Sequence, residues 1–402
     1  MAAQINPPRG MRDFLPIEKA NRDATLTAIL ECYRSHGFQE IETPAMESLD
    51  RLTSSQGGEN EKLAFRVLKR GEDLEAQLGT TNPDNLSDLG LRFDLTVPLT
   101  RYYATNFAKL PKVFKAIQAG PVWRAERPQK GRYRQFVQCD IDIIGEESDL
   151  AEIELLVATL DALEVIGLSS ATIRVNTREL LTESIAALGL TSKDYSQAMI
   201  TIDKLDKLGV EGVTKELAEQ FSDSVAQKAK LWLSSENTDL IPKSLKKIFE
   251  VVGQLHPNKL RFDKTLVRGM GYYTGPIFEI EHPDSGSSIG GGGRYDGMVG
   301  KWLGKDVPAA GISIGFERVV ELAKLSSKAD SDLVLVFEPE QLSLALRIQG
   351  EAIDRGLRAR IEPRPKKLNI LLENLAESGF GSFALISNDS SDLDSLEIKP
   401  IR

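Results

Sequence analysis

Between Pro121 and Gly145 the chain reads PVWRAERPQKGRYRQFVQCDIDIIG, and the alternation in this stretch constrains the fold more than any other feature. From Tyr133 to Ile144 apolar and polar residues alternate with the period of a strand. This predicts a β-hairpin with Arg132, Arg134, Phe136, Gln138, Asp140 and Asp142 on one face. Arg124, Arg127, Arg132 and Arg134 then gather toward the turn, and the carboxylates lie deeper in. Such a face suits a charged, planar, phosphorylated ligand. A basic hairpin tip that only faces solvent has the same pattern, so the decision rests with the rest of the chain.

The 402 residues, 41% hydrophobic and 27% charged, suffice for two or three domains of an ordinary globular protein. The opening MAAQINPPRGMRDFLP has no charged-then-apolar signal pattern, and no uncharged apolar run nears the ~20 residues of a membrane span, so a cytoplasmic protein is expected. Cys32 and Cys139 build no disulfide framework, and His36, His256 and His282 are too far apart in sequence for a zinc motif. No resident metal is expected. The net charge of -9 argues against a general nucleic-acid coat, yet residues 109–134 hold eight Lys or Arg against Glu126 alone. A basic strip on an acidic body fits capture of a polyanion at one place, or of a nucleotide only.

A helical pattern runs from about Glu18 to His36 and ends at Gly37, and Phe38–Glu42 reads as a strand stopped by Pro44. LRFDLTVPLTRYYATNF (91–107) reads as a short strand turning into a helix at Pro98. After the hairpin come a helix over 150–166, a strand over 173–176 and a Lys- and Glu-rich helical block over 178–255 that reads as an insertion. Strand signals return over 266–281, pass the glycines of SSIGGGGRYDG, and close with AAGISIGFERVVELAK, a strand running into a helix. A polar linker at 324–332 precedes alternating strands and helices (333–337, 340–355, 357–361, 367–378, 382–386), the pattern of a small α/β domain.

Three further segments carry chemistry. Asp94 and Thr96, two apart on the expected strand, can hold an ammonium group from one side. Arg268 stands among glycines that admit close approach, and Tyr272 and Tyr273 offer hydroxyls on flat apolar walls. Four consecutive glycines precede Arg294 and Tyr295, and Arg318 opens a helix after Gly315. Neither a GxxxxGKS loop nor a strand-linked GxGxxG is present there, so a nucleotide site must work by arginine clamps and an aromatic shelf.

Together these segments resemble the class II aminoacyl-tRNA synthetases, and within them the histidyl-tRNA synthetase family, over nearly the whole chain. PRGMRDFLP is similar to the family's opening and GFQEIETPAMES to motif 1; WRAERPQKGRYRQFVQCDID resembles motif 2 and GISIGFERVV motif 3. RGMGYYTG and GGGGRYDG resemble two signatures of the histidine enzymes, and LRFDLTVP the eukaryotic and archaeal form of the first. The resemblance implies an α+β catalytic domain on an antiparallel sheet of about six strands (1–177 and 256–325). It also implies a helical insertion at 178–255 against the tRNA acceptor arm, an anticodon-binding-like α/β domain at 330–402, and a homodimer with motif 1 at its interface.

The implied reaction joins histidine to ATP as histidyl-adenylate and then to tRNA(His), with Mg²⁺ brought in by ATP. Carried over by motif, Arg124, Glu126, Arg132, Phe136 and Arg318 hold ATP, with Phe136 stacked on adenine. Asp94, Thr96, Gln138, Asp142, Tyr272, Tyr273 and Tyr295 surround histidine, with Arg124 near its carboxylate. Arg268, also at the histidine, is the main catalytic cation with Arg124 opposite, and Gln129 and Lys130 reach the tRNA acceptor end. The chain departs from the family where Gly271 replaces the usual Asp, and in a short C-terminal domain. A non-aminoacylating paralogue, such as the regulatory subunit of ATP phosphoribosyltransferase, is the rival the resemblance leaves. An RNA-binding protein would give Asp94, Gln138 and Asp142 no role.

Overall fold

The structure is a computed structural model that describes residues 5–53, 63–80, 82–128, 132–235, 241–268, 272–323, 325 and 332–401. By contacts the chain divides into two units, Met1–Arg12 with Leu26–Lys324, and Asp13–Thr25 with Leu325–Arg402. In chain order come α1 (Pro16–Ser35), β1 (Gln39–Glu40), β2 (Met46–Ser48), α2 (Leu49–Thr53), β3 (Arg66–Leu68), α3 (Glu72–Glu75), β4 (Ser87–Leu91) and α4 (Thr96–Asn106). The hairpin strands β5 (Phe114–Trp123) and β6 (Gln135–Ile144) follow, with α5 (Leu150–Val165) and β7 (Thr172–Thr177).

The next segment is helical: α6 (Arg178–Ala187), α7 (Tyr195–Ile202), α8 (Leu205–Gln220), α9 (Asp223–Ser234) and α10 (Lys246–Leu255). Its apolar core joins Leu181, Ile185, Ile202, Val213, Leu217 and Val225, whereas α10 packs against α5. The unit closes with β8 (Leu260–Phe262), β9 (Pro276–Glu281), β10 (Gly290–Arg294), α11 (Asp296–Leu303), β11 (Ala309–Gly315) and α12 (Phe316–Leu322).

Among the described residues the main sheet has eight strands in the order β1-β5-β6-β11-β10-β9-β7-β8. The six from β5 to β7 are antiparallel, and β1 and β8 lie parallel at the two edges. Strand β6 is central, between β5 and β11, so it is buried on both faces. Cys139, Ile141 and Ile143 point to the face that α5 covers, and Gln138, Asp140 and Asp142 to the opposite one. The second unit has its own sheet, β12 (Asp332–Phe337), β13 (Arg358–Pro363), β14 (Ser382–Leu385) and β15 (Lys399–Pro400), with α13 (Leu342–Asp354) and α14 (Leu368–Glu377). Alternate residues of β12 enter two separate apolar clusters, Leu333 and Leu335 with Ile348, and Val334 and Val336 with Leu375. That is the mark of a strand covered on both sides.

Several expectations are corrected. Asp94 and Thr96 do not share a strand, because β4 ends at Leu91 and Thr96 already opens α4. Asp94 Oδ1 accepts from Val97 N at 3.1 Å, and this local bond captures the carboxylate at the helix start. Among the described residues of 266–281 the strand is Pro276–Glu281, and β6 starts at Gln135, so Arg132 and Arg134 precede it. The glycine run is itself strand β10. The small antiparallel sheet β2-β4-β3 was not foreseen. The expected linker at 324–332 lies largely outside the described residues.

Arg294 ties the end of β10 to α5. Its Nε and Nη2 donate to both oxygens of Glu152 at 2.6 and 2.8 Å, and Glu152 is only 1% exposed. Glu152→Ala leaves the guanidinium without its buried counter-ion, so we expect about 3–5 kcal/mol of destabilisation of the first unit in urea unfolding. A loss below about 1 kcal/mol, the scale of a surface pair, would contradict this reading.

Candidate active site

A cavity of about 470 Å³ lies on the polar face of β6. Asp94, Thr96, Arg124, Glu126, Arg132, Phe136, Gln138, Asp142, Arg268, Tyr272, Tyr273, Tyr295 and Arg318 all line it. Arg134 does not; its stem packs on Gly10 and its Nε donates to Glu126 O at 3.0 Å. Gln129, Lys130 and Gly271 lie outside the described residues.

The floor is acidic. Asp94, Asp140 and Asp142 are buried, and burial is the first reason that their carboxyls titrate high: Asp94 at about 6, Asp142 at about 7, and Asp140 well above its ordinary range. The neighbouring Asp142 raises Asp140 further. Tyr295 Oη donates to Asp142 Oδ1 at 2.6 Å and draws that carboxyl partly back. Gln138 Nε2 donates to Ser313 Oγ at 3.0 Å, and Ser313 Oγ in turn donates to Asp140 Oδ1. Two buried acceptors, Asp94 Oδ2 and Gln138 Oε1, have no donor among the described residues. Buried acceptors left so are costly, and a cation with several N–H groups is the partner they suit.

Glycine makes this floor possible. A Cβ at Gly311 would meet Asp142 Oδ1 at 1.9 Å, and one at Gly291 would meet Arg268 Cζ at 2.8 Å. Both side chains therefore lie flat on bare backbone. Tyr272, Tyr273 and Tyr295 stand together, with ring centroids 4.9 Å (272 to 273) and 6.1 Å (272 to 295) apart, and merge into the apolar cluster of Leu99, Tyr103 and Phe114. They give a flat apolar wall with hydroxyl tips.

Cations line the other parts of the cavity. Arg124 Nε donates to Phe93 O at 3.0 Å, and its guanidinium lies 4.9 Å from the Phe136 ring centroid. Arg268 Nη1 donates to Glu279 Oε2 at 2.9 Å, while its buried Nε has no acceptor among the described residues. Arg318 Nη1 donates to Ser288 O, and Arg132 faces Glu126 at 3.6 Å. A fixed array of planar donors suits phosphate oxygens.

Among the cavity residues given no role from the sequence are Asp140, Asp203, Glu279, Ser313 and Glu317. Asp140 already stood on the predicted face, and Glu279 and Glu281 alternate visibly in IFEIE. Ser313 meets Asp140 through the β6–β11 register, and Asp203 arrives from the turn after α7; neither pairing has a local signal. Glu317 accepts from Val137 N at 3.1 Å and from Arg12 Nη2 at 3.2 Å, which pins the opening segment beside β6. Away from the cavity, His36 and His256 both reach Asp161, at 2.9 and 3.2 Å, although they are remote in sequence. With Glu164, the ligand atoms of Asp161 and His256 lie within 4.8 Å of one another. Among the described residues no helix is long and apolar enough to cross a membrane.

The family model described as histidyl-tRNA synthetase matches residues 10–319. A curated relative from Leifsonia xyli subsp. xyli, named histidine–tRNA ligase, is 48% identical over 100% of this chain and 99% of its own. The crystal structure of histidyl-tRNA synthetase from Nostoc sp. PCC 7120 superposes with a TM-score of 0.76 at 25% identity, covering 99% of this chain and 97% of that one. A structure from Bacillus halodurans C, titled as an ATP phosphoribosyltransferase regulatory subunit/histidyl-tRNA synthetase, has a TM-score of 0.73 at 18% identity over 93% and 97%. That likeness is one of fold alone.

The raised carboxyls set a pH dependence. Folded Asp94 and Asp142 keep protons that the unfolded chain, with Asp near ~3.9, has already released. The resulting stability is fully present below about pH 4 and is lost as pH rises through the folded values of about 6 and about 7. Thermal unfolding of the unliganded chain is therefore expected to fall between about pH 5 and pH 8, and less steeply in Asp142→Asn. Equal slopes in the two proteins would show that Asp142 is not protonated in the folded state.

Proposed function

The chain belongs to the histidyl-tRNA synthetase family, and from that premise we infer how its cavity serves an ATP-dependent histidine–tRNA ligase. Asp94, Thr96, Gln138 and Asp142 take the α-ammonium of histidine, and Tyr272, Tyr273 and Tyr295 close on its imidazole. Arg124 and Glu126 hold ATP, with Phe136 against adenine and Arg132 and Arg318 on the phosphates. Mg²⁺ enters with ATP as part of the substrate. The observation that most supports this is the division of one cavity into orphaned acceptors at Asp94 and Gln138 and guanidinium donors at Arg124, Arg268 and Arg318.

A carboxylate oxygen of histidine attacks the α-phosphorus of ATP, and the bond from that phosphorus to the leaving pyrophosphate breaks, with the electron pair departing on pyrophosphate. Two anions must meet in line, so positioning and charge neutralisation carry the rate. Arg268 serves the α-phosphate in this reading, which its clamp by Glu279 and an Nε proton without an acceptor among the described residues support. A hydroxyl of the terminal ribose of tRNA(His) then attacks the carbonyl carbon of the adenylate, the bond from that carbon to the phosphate oxygen breaks and AMP leaves, with Gln129 and Lys130 near the acceptor end, the helical segment along the acceptor arm and the second unit at the anticodon. We further propose a cytoplasmic homodimer joined through the segment around Pro44.

The test is histidine-dependent exchange of labelled pyrophosphate into ATP without tRNA. Arg268→Ala should lower kcat by roughly 10²–10³, the loss of one preorganised donor worth about 2.7–4 kcal/mol. Arg268→Lys should recover only part, since charge returns without the planar fork. Exchange that is absent from folded wild-type chain would favour the regulatory paralogue.

A further inference from the structure

The hydroxyl of Ser313 lies between Gln138 and Asp140, and it has one proton to give. Ser313 sits directly across from Asp140 in the β11–β6 register, while Gln138 faces Gly315 one pair further along the same polar face. Both Gln138 and Asp140 are buried, at 8% and 4% exposure, so water cannot rearrange their bonds freely.

The direction of these bonds fixes the direction of the amide. When a bound ammonium holds Asp140 ionised, the carboxylate can only accept, so the Ser313 proton is committed to its Oδ1. Ser313 Oγ is then left with lone pairs and can only accept from Gln138, which must present Nε2. Turning the amide over would set Oε1 against the hydroxyl oxygen with no proton between them. Gln138 Oε1 is thereby held on the other side, buried and without a donor among the described residues. A substrate ammonium among Asp94, Asp140 and Asp142 supplies the positive charge that keeps all three ionised, so the bond direction is firmest when the ammonium is bound.

We propose that Asp140 and Ser313 are positioning residues for amino-acid recognition: through the Ser313 hydroxyl, Asp140 locks Gln138 as an acceptor for the α-ammonium of histidine. This rests on the histidine site proposed above. It assigns the pair a task distinct from supplying negative charge. The lock rewards a group with N–H protons to donate and rejects one that brings only acceptors.

The test is steady-state pyrophosphate exchange with the full chain, comparing wild type, Ser313→Ala, Asp140→Asn and the double variant. Ser313→Ala keeps every charge but cuts the relay. Its KM for histidine should rise roughly tenfold, the effect of one lost charge-assisted bond, while KM for ATP stays put. Such a split marks lost ground-state binding, which a general loosening of the fold does not produce. The inhibition constant of 3-(imidazol-4-yl)propionate, which lacks the amino group, should be the same in wild type and Ser313→Ala. The double variant should be no worse than the poorer single one, because both changes break one relay.

If Asp140 acts only by charge, Ser313→Ala leaves KM for histidine within about twofold and the two effects multiply, which overturns the proposal. Equal weakening of the des-amino compound by Ser313→Ala overturns it as well. A wild-type chain that exchanges with histidine separates either failure from a failure of the underlying assignment; one that does not exchange removes both.

Discussion

Three carboxyl groups held out of water on one face of β6 and its neighbour Asp94 set the terms for the rest of the molecule. Asp94, Asp140 and Asp142 are each buried, and burial of like charges so close together is unfavourable unless donors and a counter-cation offset it. The chain supplies one donor to each: Val97 N, the Ser313 hydroxyl and the Tyr295 hydroxyl. Asp94 Oδ2 and Gln138 Oε1 remain as buried acceptors without a donor among the described residues. This is a floor built to be completed by a cationic ligand, and it spends folding stability above neutral pH for that purpose.

The sheet around the floor is shaped by the same requirement. Gly291 and Gly311 remove side chains where Arg268 and Asp142 must lie against backbone. Glu279 accepts from Arg268 with one oxygen and from Arg174 with the other, at 2.9 and 3.1 Å, so the Arg268 guanidinium is held by a side chain that is itself anchored. Arg174 continues the network to Asp263 on one side and to Asp206 at the start of α8 on the other. Charge is thus sorted within one cavity.

The legible parts of the sequence were those with a local period. The face of β6 from Phe136 to Asp142 could be read from alternation, and the strands and helices between 333 and 386 fall close to their expected places because each has its own apolar rhythm. The motif resemblance gave roles to Asp94, Arg268, Tyr295 and Arg318, which are far apart in sequence and line one cavity. What failed was decided by tertiary structure. Asp94 and Thr96 resembled a strand pair, but the helix start claims both. The glycine run has no strand signal of its own, yet β9 and β11 pair with it on both sides and make it a strand. Ser313, Asp203 and the meeting of His36 with His256 depend on register and packing that no short window contains.

The central claim is that one cavity holds histidine and the nucleotide together, with the amino acid on the acidic floor. The most direct measurement is thermal unfolding of the intact chain with a stable sulfamoyl analogue of histidyl-adenylate, beside the analogues of other amino acids. The account predicts that the histidyl compound alone raises the melting temperature strongly, and that Asp142→Asn blunts the shift. A similar shift from several aminoacyl analogues, or none from the histidyl one, would contradict it.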